Sequence, residues 1–262
     1  KVYRTANLQA KHCPEGLAAQ LCADRGIRCV LDLRSEDEMK HDVGDLFSST
    51  VRFDRKDSPS APEMPEGGGI VRYVTPMLER EPIYWGVWDR LSLREKIEIG
   101  WYSAVDGKRQ QRMFIDKMNE GGLPLLNELI LDKCGPEIAH ALKIITCTLK
   151  AGRAVAFQCR LGKDRTGLIA ALVLLCAGAS EEAVVDDYTK SNNKDQIALG
   201  EIQSEKRKGP RLDRQTFQGA DAATMRHVIA HIRNKYGSVD GYLDSVGFGE
   251  AWRADLCAAA KP

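Results

Sequence analysis

Cys159 and Arg165 stand with five residues between them in the run Val155-Ala156-Phe157-Gln158-Cys159-Arg160-Leu161-Gly162-Lys163-Asp164-Arg165-Thr166-Gly167. A thiolate and a guanidinium so spaced can work on a phosphate ester. The sulfur attacks phosphorus while the planar arginine fork holds two phosphate oxygens at once. Gly162 lets the backbone turn tightly and approach a ligand with no side chain in the way. Successive N–H groups in such a loop converge on an anion-binding concavity at the start of the next helix. Aligned N–H dipoles together with Arg160, Lys163 and Arg165 are surroundings that favour thiolate over thiol. Arg160, Leu161, Gly162 and Lys163 would then wrap the phosphate. Thr166 can donate its hydroxyl to the sulfur and ease its departure when a phosphocysteine is hydrolysed.

The elements on either side suit that task. Val155 to Gln158 is an apolar run that reads as a buried strand feeding the loop. Thr166 to Cys176 is apolar on nearly every side, as a buried helix is, and its positive dipole end would face the loop. A lone cysteine and arginine at this spacing is a common chance match, and a free cysteine is usually a small core residue. The match extends through GKDRTG between a strand signal and a helix signal, which is the context the chemistry demands.

Such a reaction also needs a proton for the leaving oxygen. Asp164, inside the loop and beside the helix start, is the first candidate; the same position also suits an aspartate that holds Arg165 or caps helix N–H groups. Asp54 comes next, followed by Asp57 and Asp132. Asp32 and Arg34 are expected to form a structural pair near the site. Tyr188 and Asn192 are expected beneath the loop as packing or hydrogen-bonding residues.

Strands and helices alternate along the chain. Residues 15–25 read as a helix, 28–33 as a buried strand and 51–53 as a second strand. Residues 58–69, rich in proline and glycine, read as a loop. Helices are expected at 108–119, 123–132 and 136–150, the last with Pro136 in its first turn. Further helices are expected at 166–177, 181–191 and about 219–236. The pattern predicts an α/β fold, a central, mostly parallel twisted sheet flanked by helices, with an inserted segment before the phosphate loop. The chain reads as a single domain, 1–262, with 55–120 as an insertion or lid within it. Trp85, Trp88 and Trp101 in that stretch read as packing anchors rather than as an apolar cover for a ligand.

The loop resembles that of the cysteine-dependent tyrosine and dual-specificity phosphatases, in particular the branch whose loop reads HCxxGKDRTG. Four other stretches resemble the same branch: Tyr3 to Leu8, Gly26 to Ser35, Asp187 to Asn192 and Tyr236 to Leu243. The likeness covers both ends and the centre, leaving roughly 55–120 unmatched. It implies a phosphocysteine mechanism on phosphotyrosine proteins or phosphoinositides. In this family a lysine at the position of Lys163 goes with multiply phosphorylated substrates. One departure is plain: Gln158 stands where the family usually has histidine, and glutamine can donate a hydrogen bond but carries no charge.

Composition narrows the rest. The chain has 262 residues and a formal net charge of +1, which argues against a polyanion binder of the nucleic-acid kind. Its eight cysteines form no CxxC pair and no disulfide scaffold, the usage of a reducing compartment, so a cytoplasmic setting is expected. No apolar run is long enough to span a membrane, and a removed targeting segment is compatible with the leading lysine. The expectation is therefore a metal-independent, cofactor-free phosphomonoester hydrolase with Cys159 as nucleophile, Arg165 as clamp, Asp164 as acid and Thr166 as assistant. The alternative is a catalytically weak module that docks phosphorylated partners. Oligomeric state is left open. A sulfur transferase or arsenate reductase is disfavoured by Arg165 and Thr166.

Overall fold

Val30 and Leu31 are completely buried, and so is Val155; these residues sit in the two strands that form the middle of the molecule, and the equally buried Leu33 follows the first of them. In this computed structural model the described residues are 1–262 except 11, 12, 15, 41, 56–61, 63–66, 193–211, 214, 261 and 262. Five strands form one parallel sheet: β1 (Val2–Thr5), β2 (Ile27–Asp32), β3 (Ser49–Arg52), β4 (Val71–Val74) and β5 (Ala154–Gln158), in the order β1-β5-β2-β4-β3. Parallel strands need crossovers that cover both sheet faces, so the inner strands β2 and β5 are largely apolar, whereas the edge strands β1 and β3 are not.

The period of two divides the strands between two cores. Cys29, Leu31, Val155 and Phe157 pack on one face with Ile138, Leu142, Ile145 and Leu168. Val30, Ala154 and Ala156 pack on the other with Leu8, Cys22 and Ile27. The first face carries α6 (Gly135–Lys150) and α7 (Asp164–Cys176), and the second carries α1 (Leu17–Arg25). Residues Arg165 to Val173 of α7 are all buried, as its all-round apolar sequence requires. The expected α/β fold with a parallel sheet between helices is the fold observed. After α7 come α8 (Glu181–Thr189), α9 (Ala222–Tyr236), α10 (Val239–Ser245) and α11 (Glu250–Ala260).

The short α2 (Glu36–Met39) follows β2, and α3 (Arg80–Asp89), α4 (Leu93–Val105) and α5 (Gly107–Lys133) lie between β4 and α6. The two helices expected at 108–119 and 123–132 are the halves of α5. They meet at Gly122, whose φ of 57° and ψ of −149° are non-helical, two residues before Pro124. Two expectations for 55–120 need correction. Val71–Val74 is a sheet strand, so the stretch is not wholly an insertion; its four residues are too few to carry a periodicity. Trp85 and Trp101 are 51% and 67% exposed, so neither is a buried anchor, whereas Trp88 is half-buried. Most of the 58–69 loop, with Asp57, lies outside the described residues. No helix among the described residues is long and apolar enough to cross a membrane.

Candidate active site

All five residues of β5 are buried, and the strand delivers Cys159 to the carboxyl edge of the sheet, where parallel α/β folds bind ligands. Cys159 itself is 3% exposed. The loop then turns at Gly162, with φ of 67°. A Cβ there would lie 2.8 Å from the Thr5 carbonyl and 2.9 Å from the Ala6 nitrogen, so the β1 exit and the loop touch backbone to backbone. A second close approach follows at Gly167, where a Cβ would come within 2.8 Å of the Tyr188 ring. Tyr188 thus packs under the start of α7, and its hydroxyl is buried without a hydrogen-bond partner.

Arg165 is held from behind. Its Nη1 and Nη2 donate to the two Glu38 carboxylate oxygens at 2.6 and 2.7 Å, and Nη1 also donates to the Leu33 carbonyl at 3.1 Å. A guanidinium has five N–H groups. Three are thereby engaged, leaving Nε–H and one Nη2–H, the pair along one edge. Burial alone would raise the Glu38 carboxyl, but the bonds and charge of Arg165 and the bonds from Ser35 outweigh it and hold Glu38 below its ordinary value. Glu38 is therefore ionised at neutral pH. It was not among the sequence candidates. Its local signal is the Ser35-x-x-Glu38 capping box, but nothing local ties it to an arginine 127 positions away.

Beneath the cysteine lies a buried charged network. Gln158 Nε2 donates to Asp32 Oδ2 at 2.8 Å, and Gln158 Oε1 accepts from the Leu8 N–H at 3.0 Å. Asp32 also accepts from Arg34 Nε at 2.9 Å and Nη2 at 2.7 Å, and from Arg72 Nη2 at 2.7 Å. Both arginines continue to Asp42, at 2.7 Å from Arg34 Nη1 and 3.0 Å from Arg72 Nη2. Burial pushes the Asp32 carboxyl up, yet Arg34, Arg72 and Gln158 more than offset it and leave it below its ordinary value. Gln158 thus uses both ends of its amide, one on the β1 exit and one on this network. Asp42 and Arg72 were absent from the sequence reading, since neither belongs to a motif.

On the open side the picture differs. Lys163 is 4% exposed; its Nζ donates to the Phe217 carbonyl at 2.7 Å and lies 3.5 Å from Asp164 Oδ1. Asp164 Oδ1 is shut off from solvent without a hydrogen-bond partner, and so is Thr166 Oγ1. Burial pushes the Asp164 carboxyl up, against the pull of Lys163 and Arg165. Arg160 is exposed at the loop tip, and its carbonyl receives the Asn7 N–H at 3.4 Å. Leu161 is half-buried beside it.

The remaining acid candidates sit apart from this arrangement. Asp54 is exposed two residues after β3. Asp132 is engaged on α5 by Arg90, His231, Lys235 and Tyr236. Burial would raise its carboxyl, but those partners hold it at about 2, so it has no proton to give at neutral pH.

The family model described as the tyrosine phosphatase family matches residues 1–259. The chain belongs to that family. It is 32% identical over 127 residues to the triple specificity protein phosphatase PtpB of Mycobacterium tuberculosis (strain ATCC 25618 / H37Rv), a match covering 43% of this chain and 45% of that protein. It is 33% identical over 106 residues to a tyrosine-protein phosphatase of Nostoc commune, covering 37% of this chain and 35% of that protein. The matched regions thus span less than half the length of these curated relatives.

Proposed function

We propose that the protein hydrolyses phosphomonoesters through a phosphocysteine intermediate, without a metal or cofactor, as one phosphatase domain over 1–262. The observation that carries the reading is Arg165: buried, braced by Glu38 and Leu33, and left with one N–H edge beside the Cys159 loop. In the first half-reaction Sγ of Cys159 bonds to phosphorus as the ester P–O bond breaks. The leaving oxygen takes a proton from Asp164, a half-buried residue whose Oδ1 is shut off from solvent and whose carboxyl is pushed by desolvation toward its neutral form. In the second, water attacks phosphorus, its proton returns to Asp164, and the sulfur leaves as thiolate. The unpaired hydroxyl of Thr166 donates to the departing sulfur.

Substrates are phosphotyrosine proteins, phosphoinositides or both. The description of PtpB as a triple specificity protein phosphatase supports a range wider than phosphotyrosine, and Arg160, exposed at the tip of the loop that carries the Arg165 guanidinium, favours highly charged phosphates. The deciding experiment is phosphate release in EDTA from phosphotyrosine peptides and from singly and multiply phosphorylated inositol lipids. Release from lipids above peptides makes it a phosphoinositide phosphatase; release from peptides alone makes it a tyrosine phosphatase. No release from either replaces catalysis with a phosphate-docking role.

A further inference from the structure

Most amphipathic helices on a protein surface turn their apolar side inward. Helix α4 keeps a larger one outside. Only Ile99 is buried, at 1% exposure, while Leu93, Ile97, Trp101 and Val105 are 75, 66, 67 and 58% exposed. At 100° per residue these four and Ala104 fall within an arc of about 120°, opposite Ile99. The helix packs on α5 and is tied to it by the Glu95–Lys117 ion pair at 3.4 Å, with Ile99 its buried residue. The ridge therefore points away from the protein with its supporting side already satisfied.

Charge follows the ridge. Arg94 lies within the apolar arc, and Lys108, Arg109 and Arg112 are exposed just beyond Val105. Of the acids on α4 and the first turns of α5, Asp106 is committed to capping α5, accepting from the Lys108 and Arg109 N–H groups, Glu95 pairs with Lys117, and Glu98 and Asp116 are the others. A chain of net charge +1 thus concentrates cations at the end of its most exposed apolar surface.

We propose that α4 is a membrane-docking ridge that inserts Leu93, Ile97, Trp101 and Val105 into the headgroup region of an anionic bilayer while the basic turn pairs with lipid phosphates. Aliphatic side chains, a tryptophan and flanking cations are the composition that holds a helix in that interface. A second copy is the poorer occupant. A 13-residue helix is about 20 Å long, and its exposed strip of about 10 Å offers roughly 200 Å² per partner, against about 800 Å² in a stable interface.

The ridge belongs to a unit that borders the phosphate loop. Phe217, whose carbonyl holds Lys163, packs with Ile83, Val87, Phe114 and Met118 of α3 and α5. At the other side Arg80 of α3 lies 3.8 Å from Asp37, the neighbour of Glu38. Docking through α4 would bring the catalytic loop to a bilayer whichever phosphomonoester it hydrolyses.

The test is co-sedimentation of the full chain with vesicles of phosphatidylcholine plus phosphatidylserine, or of phosphatidylcholine alone, all free of phosphoinositide. Wild type should pellet with the anionic vesicles, less with the neutral ones, and less as salt screens the charges. The I97D/W101D double variant should lose at least about tenfold in partitioning, given the apolar surface removed. It should retain wild-type hydrolysis of soluble para-nitrophenyl phosphate, which shows that it folds. As a second probe, K108E/R112E should abolish the preference for anionic vesicles. Wild type remaining in the supernatant, equal pelleting of wild type and I97D/W101D, or no preference for anionic lipid would each overturn the proposal. A concentration-dependent wild-type dimer lost in I97D/W101D would overturn it in favour of a second copy. Because the readout is binding to substrate-free vesicles, its failure leaves the hydrolase reading untouched.

Discussion

The two sides of the Cys159 loop obey opposite rules. On the side of β2 and β4, Gln158, Asp32, Arg34, Arg72 and Asp42 bond to one another, and none leaves a buried side-chain polar atom unpaired. On the side of α7, Thr166 Oγ1 and the Tyr188 hydroxyl are buried without hydrogen-bond partners, and Asp164 Oδ1 is shut off from solvent with the Lys163 ammonium 3.5 Å away. An orphaned buried polar group costs roughly 1–3 kcal/mol. The first side is built for rigidity. On the second, the Asp164 carboxyl and the Thr166 hydroxyl stand where the leaving oxygen and the sulfur of the proposed reaction would engage them. Gln158 belongs to the first side: with both amide ends bonded it orients the loop without titrating, in a position where the family usually has histidine.

This contrast predicts that support residues act on stability and loop residues on turnover. The largest effect is expected for Asp164→Asn, a fall in kcat of about 10²–10⁴. Because burial pushes this carboxyl toward its neutral form and asparagine is neutral, the melting temperature should hold or rise. Wild-type kcat should fall as pH rises through the Asp164 pKa, which lies above the ordinary aspartate value, and that limb should flatten in the variant. An unchanged profile would move the acid role to Asp54 or elsewhere.

Asp32→Ala should show the converse, a loss of about 3–5 kcal/mol in denaturant unfolding, because two buried guanidinium groups lose their shared partner. A stable Asp32→Ala protein with poor turnover would break the distinction. Glu38→Gln should cost about 10–100-fold in kcat/KM, since Arg165 loses its charged brace; vanadate affinity should weaken in parallel. The smallest change is the acid limb of stability. Asp32 and Glu38 titrate below their ordinary values in the folded protein. Their contribution is thus complete above the usual carboxyl range and is lost as pH falls through the folded values. His140, stacked on Phe53, is lowered by burial and by Lys143 to about 4. It therefore adds a further loss of stability as pH falls from 6.5 toward 4. The His140→Gln variant should lack that part of the acid unfolding curve.

How much of this was legible in the sequence depended on distance along the chain. Cys159, Gly162, Lys163, Asp164, Arg165 and Thr166 lie in one contiguous run, so strand, turn and helix signals around them could be read together. The β2 and β5 strands declared themselves by the short apolar runs Cys29–Leu31 and Ala154–Phe157, and Gly122 with Pro124 separated the halves of α5. Glu38, Asp42 and Arg72 meet the loop only through the sheet order, which brings β4 beside β2 and β2 beside β5. The Phe217 carbonyl that holds Lys163 is backbone and carries no sequence signal. Trp85 and Trp101 were misread because an aromatic residue announces apolar surface, not the side on which that surface is covered.

The measurement that tests the central claim most directly is acid-quenched mass analysis of the protein during turnover of para-nitrophenyl phosphate in EDTA. A phosphoryl adduct on the peptide that contains Cys159, absent from Cys159→Ser together with all turnover, is the expected result. Turnover that persists in Cys159→Ser, or that disappears on chelation of metals, would contradict the phosphocysteine mechanism.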